Sequence, residues 1–216
     1  MSAPSPGITS AYLATLAAGL LATAVWAAGD RPGVGGVERL EREATATFEA
    51  DTRQLAVEDD VFFQDLLETS EQARLAVALA DGTQLTLGEN ASLRIDEFVY
   101  TPDSSTARVG ISVLEGAFRF VGGDAENMDD SEVEIKTGVG TLGVRGTSVW
   151  GGRIDGSFGV LVFEGNVTVR NEAGEVNLGP GEGTMVDDKD SPPSAPKVWP
   201  EEKVQRAVDT VRFREN

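Results

Sequence analysis

Short runs of apolar residues, separated by turns that contain glycine, recur along the middle of the chain. In three places two such runs flank an acidic residue followed by glycine. This pattern is typical of a β-hairpin, because glycine tolerates the positive φ that a tight turn requires. The clearest example is Leu75–Leu79, then Asp81 and Gly82, then Leu85–Leu87. The pattern returns around Gly116 and again around Gly165.

The spacing of these turns predicts one all-β unit. Gly82, Gly116 and Gly165 lie 34 and then 49 residues apart, which argues against a solenoid with a fixed repeat. Val160–Phe163 is apolar at every position and indicates a strand buried on both faces. We expect a curled β-sandwich or β-roll of hairpins with roughly 12–15 strands. Further strands are predicted at Thr45–Phe48, Ser92–Ile95, Phe98–Tyr100, Val133–Lys136, Thr141–Val144, Glu175–Leu178 and Gly183–Val186.

The N-terminal segment, residues 1–28, differs from the rest because residues 8–28 are apolar and contain no charged side chain. Small or modest residues at Val25 and Ala27 suit cleavage by a signal peptidase after Ala27. The same stretch is also long enough to remain as a membrane anchor. The segment predicts export, with the protein either released into the periplasm or held at the inner membrane by residues 8–28.

The remaining boundaries follow from composition. We expect a linker at 29–44, the all-β domain at 45–187, a proline-rich linker at 188–199 and a C-terminal helix at 200–216. Val204, Ala207, Val208 and Val211 follow the spacing of an amphipathic helix. The helix is expected to cap an open end of the sheet, and a detachable partner-binding helix is the alternative.

Composition restricts the kinds of ligand and of catalysis that the chain can support. The net charge is −18, so the chain as a whole should repel nucleic acid. Cysteine and histidine are both absent, which excludes disulfides, thiolate nucleophiles, histidine-based triads and zinc clusters of cysteine and histidine. No pair of carboxylates stands out as a catalytic pair. We expect a protein that is not an enzyme and uses no cofactor.

The stretch Lys136–Gly152 contains glycines alternating with β-branched residues. A phosphate loop is not expected there, because no Gly-Lys-Ser/Thr follows the glycines. We expect these glycines to permit tight bends or close packing of strands. We expect Arg145 to lock the turn by binding carboxylates or buried carbonyl oxygens. The alternative is that its side chain projects towards a partner.

The segment Gly122–Glu132 contains five acidic residues and no basic one. Its spacing does not follow the calcium-binding loop of an EF-hand. We expect a solvated acidic loop, with Asp124, Glu126, Asp129 and Asp130 as weak candidates for metal ligands.

Several of these segments, in this order, resemble a FecR domain over roughly residues 55–187. The motif positions are Asp81, Gly82, Gly116, Gly143, Arg145, Gly146, Thr147 and Gly165. The segments that carry the resemblance are Asp59–Phe62, Leu67–Thr69, Ala80–Asn90, Leu93–Tyr100, Leu114–Gly123 and Thr141–Thr147.

The resemblance implies an all-β periplasmic domain without catalytic residues. In the regulators that give the family its name, this domain receives a signal from an outer-membrane TonB-dependent transducer and passes it towards a sigma factor. Those regulators carry a cytoplasmic anti-sigma region before the membrane span, and here only about nine residues precede the apolar segment. We therefore expect no sigma-factor contact within this chain.

The function expected from the sequence is that of a non-enzymatic FecR-domain protein of the periplasm or envelope. It would act as a protein-binding or signal-sensing module whose partner is another envelope protein. The alternative is a structural envelope or surface protein that binds glycan or calcium.

Overall fold

A computed structural model describes residues 31–102 and 105–214. Strands make up 59% of the described residues and helices 7%, so the predicted all-β class is confirmed. The strands are β1 Gly33–Glu41, β2 Ala44–Phe48, β3 Asp51–Gln54, β4 Asp60–Phe62, β5 Leu66–Thr69, β6 Arg74–Leu79, β7 Gln84–Leu87, β8 Ser92–Val99, β9 Thr106–Glu115, β10 Phe118–Val121, β11 Asp130–Thr137, β12 Gly140–Ile154, β13 Ser157–Asn171, β14 Gly174–Leu178, β15 Glu182–Val186 and β16 Lys197–Val198. A 3₁₀ turn spans Asp124–Asn127, and helix α1 spans Glu201–Asp209.

All sixteen described strands belong to one sheet, which curls into a half-barrel. The main path runs β3-β2-β5-β8-β9-β11-β12-β10-β7-β6-β1-β4, and β13 continues the sheet from β12 to β14 and β15. Neighbouring strands are antiparallel except β9 and β11, which run parallel. The strand number is slightly above the prediction, because several short strands near the N-terminus carry little apolar alternation.

Alternation of side chains builds the main hydrophobic core on one face of the sheet. In β9, Ala107, Val109, Ile111 and Val113 are buried, while the residues between them point to the opposite face. This is the two-residue period expected of a strand with one face against a core. The opposite face carries mostly polar side chains in this part of the sheet.

A second, smaller apolar cluster lies on the other face, where β12 and β13 meet α1. Val160 and Val162 belong to the main core, whereas Leu161 packs with Trp150 and Trp199 in this second cluster. The predicted burial of this run on both faces is therefore confirmed. Helix α1 contributes Ala207 to the cluster, so it covers a face of the sheet and not the open end that we expected.

The predicted linker at 29–44 is wrong over most of its length. Residues 33–41 form β1, which pairs with both β4 and β6. A side chain at Gly35 would collide with the backbone of Ala78, so this glycine permits close approach of two strands. The glycines and the proline suggested a linker, but Gly35 instead lets two strands pack closely.

Two further expectations concern the ends of the chain. The apolar segment at residues 8–28 lies outside the described residues. The C-terminal helix predicted at 200–216 is confirmed from Glu201 to Asp209 and is wrong at 210–214, where the chain is not helical; residues 215–216 lie outside the described residues. Within the described ranges, none of the helices combines the length and hydrophobicity needed to span a membrane.

Candidate binding surface at the bend of the long hairpin

The two longest strands, β12 and β13, bend together at Gly146 and Gly165. The hairpin predicted around Gly165 is wrong, because β13 continues through this glycine from Ser157 to Asn171. Both glycines have positive φ, +61° and +76°, and the pairing register shifts between Arg145 and Ser148. A Cβ atom at Gly165 would collide with the carbonyl oxygen of Gly146. Before the bend β12 pairs with β11, and after it β12 pairs with β10. The glycine-rich motif therefore builds a corner in the sheet, as a bulge does.

Thr147 locks this bend with its hydroxyl group. The Arg145 backbone N–H donates to Oγ1 of Thr147 at 2.8 Å. The hydroxyl in turn donates to the carbonyl oxygen of Asn166 on the facing strand at 3.2 Å. One side chain thus satisfies a donor and an acceptor that the bulge removes from the regular ladder.

Glu126 supports the bend from beneath. Its Oε2 accepts a hydrogen bond from the Thr147 backbone N–H at 2.8 Å, and the residue is only 6% exposed. Burial raises the pKa of Glu126 above its ordinary 4.5, while the backbone N–H groups of Thr147 and Gly146 act in the opposite direction. Gly122 has no room for a side chain, because a Cβ atom there would collide with this carboxyl group.

The first hairpin turn is tied to the same loop. Asp81 is 2% exposed, and its carboxylate accepts from the backbone N–H of Thr83 at 3.1 Å and from its hydroxyl at 2.7 Å. The carbonyl oxygen of Asp81 accepts from the Asp124 N–H at 2.8 Å. Residues 122–126 therefore connect the Asp81 turn with the bend at Gly146.

The acidic segment does not behave as the sequence suggested. The expectation of a solvated loop is wrong at Glu126. This side chain is buried, because its carboxyl group accepts the Thr147 N–H that the bulge leaves without a partner in the sheet. Within residues 31–102 and 105–214, no three acidic side chains come close enough to hold a metal ion. Asp124, Glu126, Asp129 and Asp130 therefore form no metal centre in the described structure.

Two motif glycines lie apart from this network. Gly116 has a φ of +83° and forms the turn between β9 and β10, where a Cβ atom would collide with Ala91. The hairpin predicted there is wrong, because β9 pairs with β8 and β11, and β10 pairs with β7 and β12. Gly143 has open space around the position of a Cβ atom. Gly143 lines the cleft beside the bend, where a larger residue would reduce the space.

Arg145 is exposed, and the expectation that its guanidinium group locks the turn is wrong. No hydrogen bond or ion pair of this group is seen in the part of the chain that the structure describes. The lock is built instead from Thr147, Glu126 and backbone groups. Arg145 projects beside a cleft of about 540 Å³ formed by β11, β12, β13 and β14, as in the alternative that the sequence left open.

The cleft carries charges of both signs. Glu132, Glu134, Arg170 and Glu175 line it together with Arg145. Arg170 lies 3.6 Å from Glu134, and both side chains are partly exposed. Exposed pairs of this kind contribute little to stability and are available to a partner. The arrangement is an open, mixed-charge surface on a rigid corner, which suits recognition of another macromolecule.

The comparisons with known proteins agree with the resemblance noted in the sequence. Residues 65–168 match the family model described as FecR protein. A search of curated proteins finds no match.

Two crystal structures, at 1.65 Å and 2.50 Å, are similar in fold. Both are of a protein from Parabacteroides distasonis ATCC 8503 that is provisionally described as an anti-sigma factor. The TM-scores are 0.50 and 0.51 at 20% sequence identity, and the alignment covers 65% of this chain. It spans 62% of the length of those structures, so the likeness concerns the fold of that part alone. Residues 65–168 of the chain are therefore a FecR domain.

Proposed function

We propose that this chain is a non-enzymatic signalling module of the cell envelope that binds a protein partner at the Arg145 cleft. The proposal rests on one observation, the contrast between the fixed backbone and the exposed arginine side chain at the bend. The backbone around Arg145 is held by Thr147 and Glu126, while the guanidinium group itself is exposed beside a mixed-charge cleft. A rigid backbone with an available arginine is suited to binding, because little conformational freedom is lost when a partner docks.

Arginine is well suited to this position. Its planar group carries five N–H donors and binds carboxylates or carbonyl oxygens in fixed geometry. Arginine is also enriched among the residues that contribute most to protein interfaces. Glu132 and Glu175 on the same cleft would bind basic groups of the partner, so the surface would select for a complementary charge pattern.

The regulatory part of the proposal rests on the family and on the fold. The FecR family match supports a role in signal transduction. The anti-sigma description of the P. distasonis protein is consistent with a regulatory partner, although it belongs to that protein. For this chain we propose a partner in the envelope that transmits or receives a signal.

We further propose that the domain acts in the periplasm or at the outer face of the inner membrane. The apolar, uncharged residues 8–28 support this location, because they have the composition of a signal peptide or anchor. Mass spectrometry of the N-terminus of the protein from its native host distinguishes a cleaved form from an anchored form. A cytoplasmic, uncleaved protein would contradict the proposed location.

The test of the binding surface is site-specific photocrosslinking in the native host. A photoreactive residue replaces Thr141, which lines the Arg145 cleft, in one variant and Arg153 in the control, so that Arg145 itself is retained. Arg153 is exposed on the same strand beyond the bend, and it does not line the 540 Å³ cleft. We expect an envelope protein to be captured from position 141 and not from position 153. Equal capture from both positions, or capture of cell-wall components alone, would contradict the proposal.

A further inference from the structure

A second cleft, of about 860 Å³, lies on the outer face of the sheet beside the end of α1. Five arginines from separate parts of the chain meet there. They are Arg39, Arg74, Arg119, Arg212 and Arg214. The chain has 18 basic and 36 acidic residues, so a local excess of arginine is unexpected from its composition.

Strand register places the arginines around a floor of small side chains. Arg39 of β1 is paired with Ala76 of β6, and Ala76 is paired with Thr86 of β7. Thr86 is in turn paired with Arg119 of β10. Arg39 and Arg119 therefore stand on two sides of Ala76 and Thr86, and the segment after α1 forms a further wall.

Arg74 is the deepest of the five arginines. It is only 9% exposed, and its Nε atom is buried without a hydrogen-bond partner. One terminal nitrogen donates to the carbonyl oxygen of Ala73 at 2.7 Å, and the other lies 3.5 Å from the carbonyl oxygen of Asp209. Within the described ranges, no carboxylate lies within 4.0 Å of this guanidinium group. A buried charge without a counter-charge is costly, so the site favours an anion supplied from outside.

The neighbouring acidic groups do not neutralise the cleft. Asp209 is the one carboxylate among the described lining residues, and it is paired with Arg212 at 3.1 Å. Glu41 lies 4.0 Å from Arg39, and it also accepts the backbone N–H of Arg214. The remaining guanidinium groups leave an excess of positive charge around Arg74.

The cleft also offers apolar contacts. The guanidinium carbon of Arg39 lies 4.3 Å from the centre of the Phe213 ring, and Val211 lines the same wall. An acidic peptide with interspersed apolar side chains would match both features. An anionic membrane is less suited, because the rest of a chain with net charge −18 would be repelled by its surface.

We propose that this cleft binds an acidic peptide segment of a protein partner, with a carboxylate of the peptide paired to Arg74. Arg39 and Arg119 bind further carboxylates at the rim, and Phe213 contacts an apolar side chain of the peptide. This site is separate from the Arg145 cleft and does not depend on the function proposed there.

The test is direct binding to the purified full-length chain. The probe is a fluorescein-labelled peptide, Glu-Asp-Phe-Glu-Glu-Leu, and its amide counterpart, Gln-Asn-Phe-Gln-Gln-Leu, is the ligand control. The cleft variant carries Arg39→Gln and Arg119→Gln, which change two exposed side chains. The matched protein control carries Arg94→Gln and Arg153→Gln, which remove the same charge outside the cleft.

We expect the acidic peptide to bind, the amide peptide not to bind, and the affinity to fall with added salt. The cleft variant should weaken binding by about tenfold, and the control pair should have little effect. Arg74→Gln should abolish binding, and its thermal midpoint reports whether the fold is retained.

Equal loss of affinity in both double variants would show that only total charge matters and would overturn the site. Absence of binding to the acidic peptide would also overturn it. Vesicles containing phosphatidylglycerol and inorganic phosphate are tested in parallel. Stronger cleft-dependent binding to either of these than to the peptide would assign the cleft to a phosphate group and overturn the peptide proposal.

Discussion

The bend around Arg145 and the cleft around Arg74 use arginine in opposite ways. At the bend, Thr147 and Glu126 bind backbone groups that the bulge frees, and the arginine is exposed. In the cleft, the arginine is 9% exposed and pairs only with main-chain carbonyl oxygens. The bend residues fall within one stretch from Gly122 to Asn166, whereas the cleft residues come from four strands and the C-terminal segment.

The two regions therefore differ in how well effects on folding can be separated from effects on binding. The bend holds its shape through glycine conformations and through the hydrogen bonds of Thr147 and Glu126, so substitutions beneath Arg145 should affect folding. Substitution of Arg145 should affect binding alone. In the cleft, Arg74 is both buried and charged, so the effects of its substitution on folding and on binding are harder to separate.

The largest expected effect is that of Gly165→Ala, which would break the bend. Alanine is strained at a φ of +76°, and its Cβ atom would collide with the carbonyl oxygen of Gly146. We expect a loss of about 3 kcal/mol in the free energy of unfolding, measured by chemical denaturation. Gly143→Ala is the control, because the space around Gly143 is open, and it should change stability by about 0.5 kcal/mol or less.

Glu126→Ala should have the next largest effect. It leaves the buried N–H group of Thr147 without an acceptor, which costs about 1–3 kcal/mol. Chemical denaturation measures the loss, and Glu132→Ala on the exposed face of β11 is the control. Equal stability of the two variants would show that Glu126 does not support the bend.

Glu126 also predicts a dependence on pH. Because its pKa is raised in the folded protein, the folded state binds this proton more tightly than the unfolded chain. The resulting stabilisation is present below the ordinary pKa of 4.5 and is lost as pH rises through the folded pKa. We expect Glu126→Gln to remove this component from a plot of thermal midpoint against pH.

Asp155→Asn should have a smaller effect, confined to the contact between α1 and the turn after β12. Hydrogen bonds from Arg206 and Lys203 hold the pKa of Asp155 at about 2, below its ordinary 3.8. The stabilisation is therefore present above the ordinary pKa and lost as pH falls from about 3.8 to about 2. Thermal midpoints across this range should converge for wild type and variant.

Asparagine suits the test because it tolerates the φ of +54° at this position. Asp51→Asn, an exposed aspartate on β3, is the control and should retain the pH dependence of the wild type. A difference between wild type and Asp155→Asn that persists below pH 2 would assign the effect to something other than this ion pair.

The smallest expected change in stability is that of Arg145→Gln. Because the guanidinium group is exposed and has no described partner, the thermal midpoint and the free energy of unfolding should change by about 0.5 kcal/mol or less. Capture of the envelope partner in a pull-down from the native host should be lost. A clear drop in stability would restore the structural role that the sequence favoured for this arginine.

Much of the central fold could be predicted because local patterns control it. The hairpin at Gly82 follows from apolar alternation and from a turn that needs positive φ. The hairpins predicted at Gly116 and Gly165 are wrong although both glycines have positive φ, because the pairing of strands is decided by the whole sheet. The N-terminal strands were harder to predict. In β1, Gly35 approaches the backbone of Ala78, and this contact depends on a strand about 40 residues further along the chain.

The candidate sites could likewise be predicted only in part from the sequence. The motif at Gly143–Thr147 was evident from its glycines, but the sequence could not decide whether Arg145 would be buried or exposed. That outcome depends on Glu126, which takes the buried position from a distant loop. No sequence signal indicated the arginine cleft, because its residues are dispersed among acidic neighbours.

The amino-acid sequence by itself determined the all-β class, the Gly82 hairpin and the FecR domain, since these depend on local conformational preference and on ordered motifs. The tertiary structure alone decided which charges are buried, which arginines are available and where they meet. Packing of the C-terminal segment against the sheet brings together residues separated by about 175 positions, as Arg39 and Arg214 illustrate, and their electrostatic environment exists only after the sheet has formed.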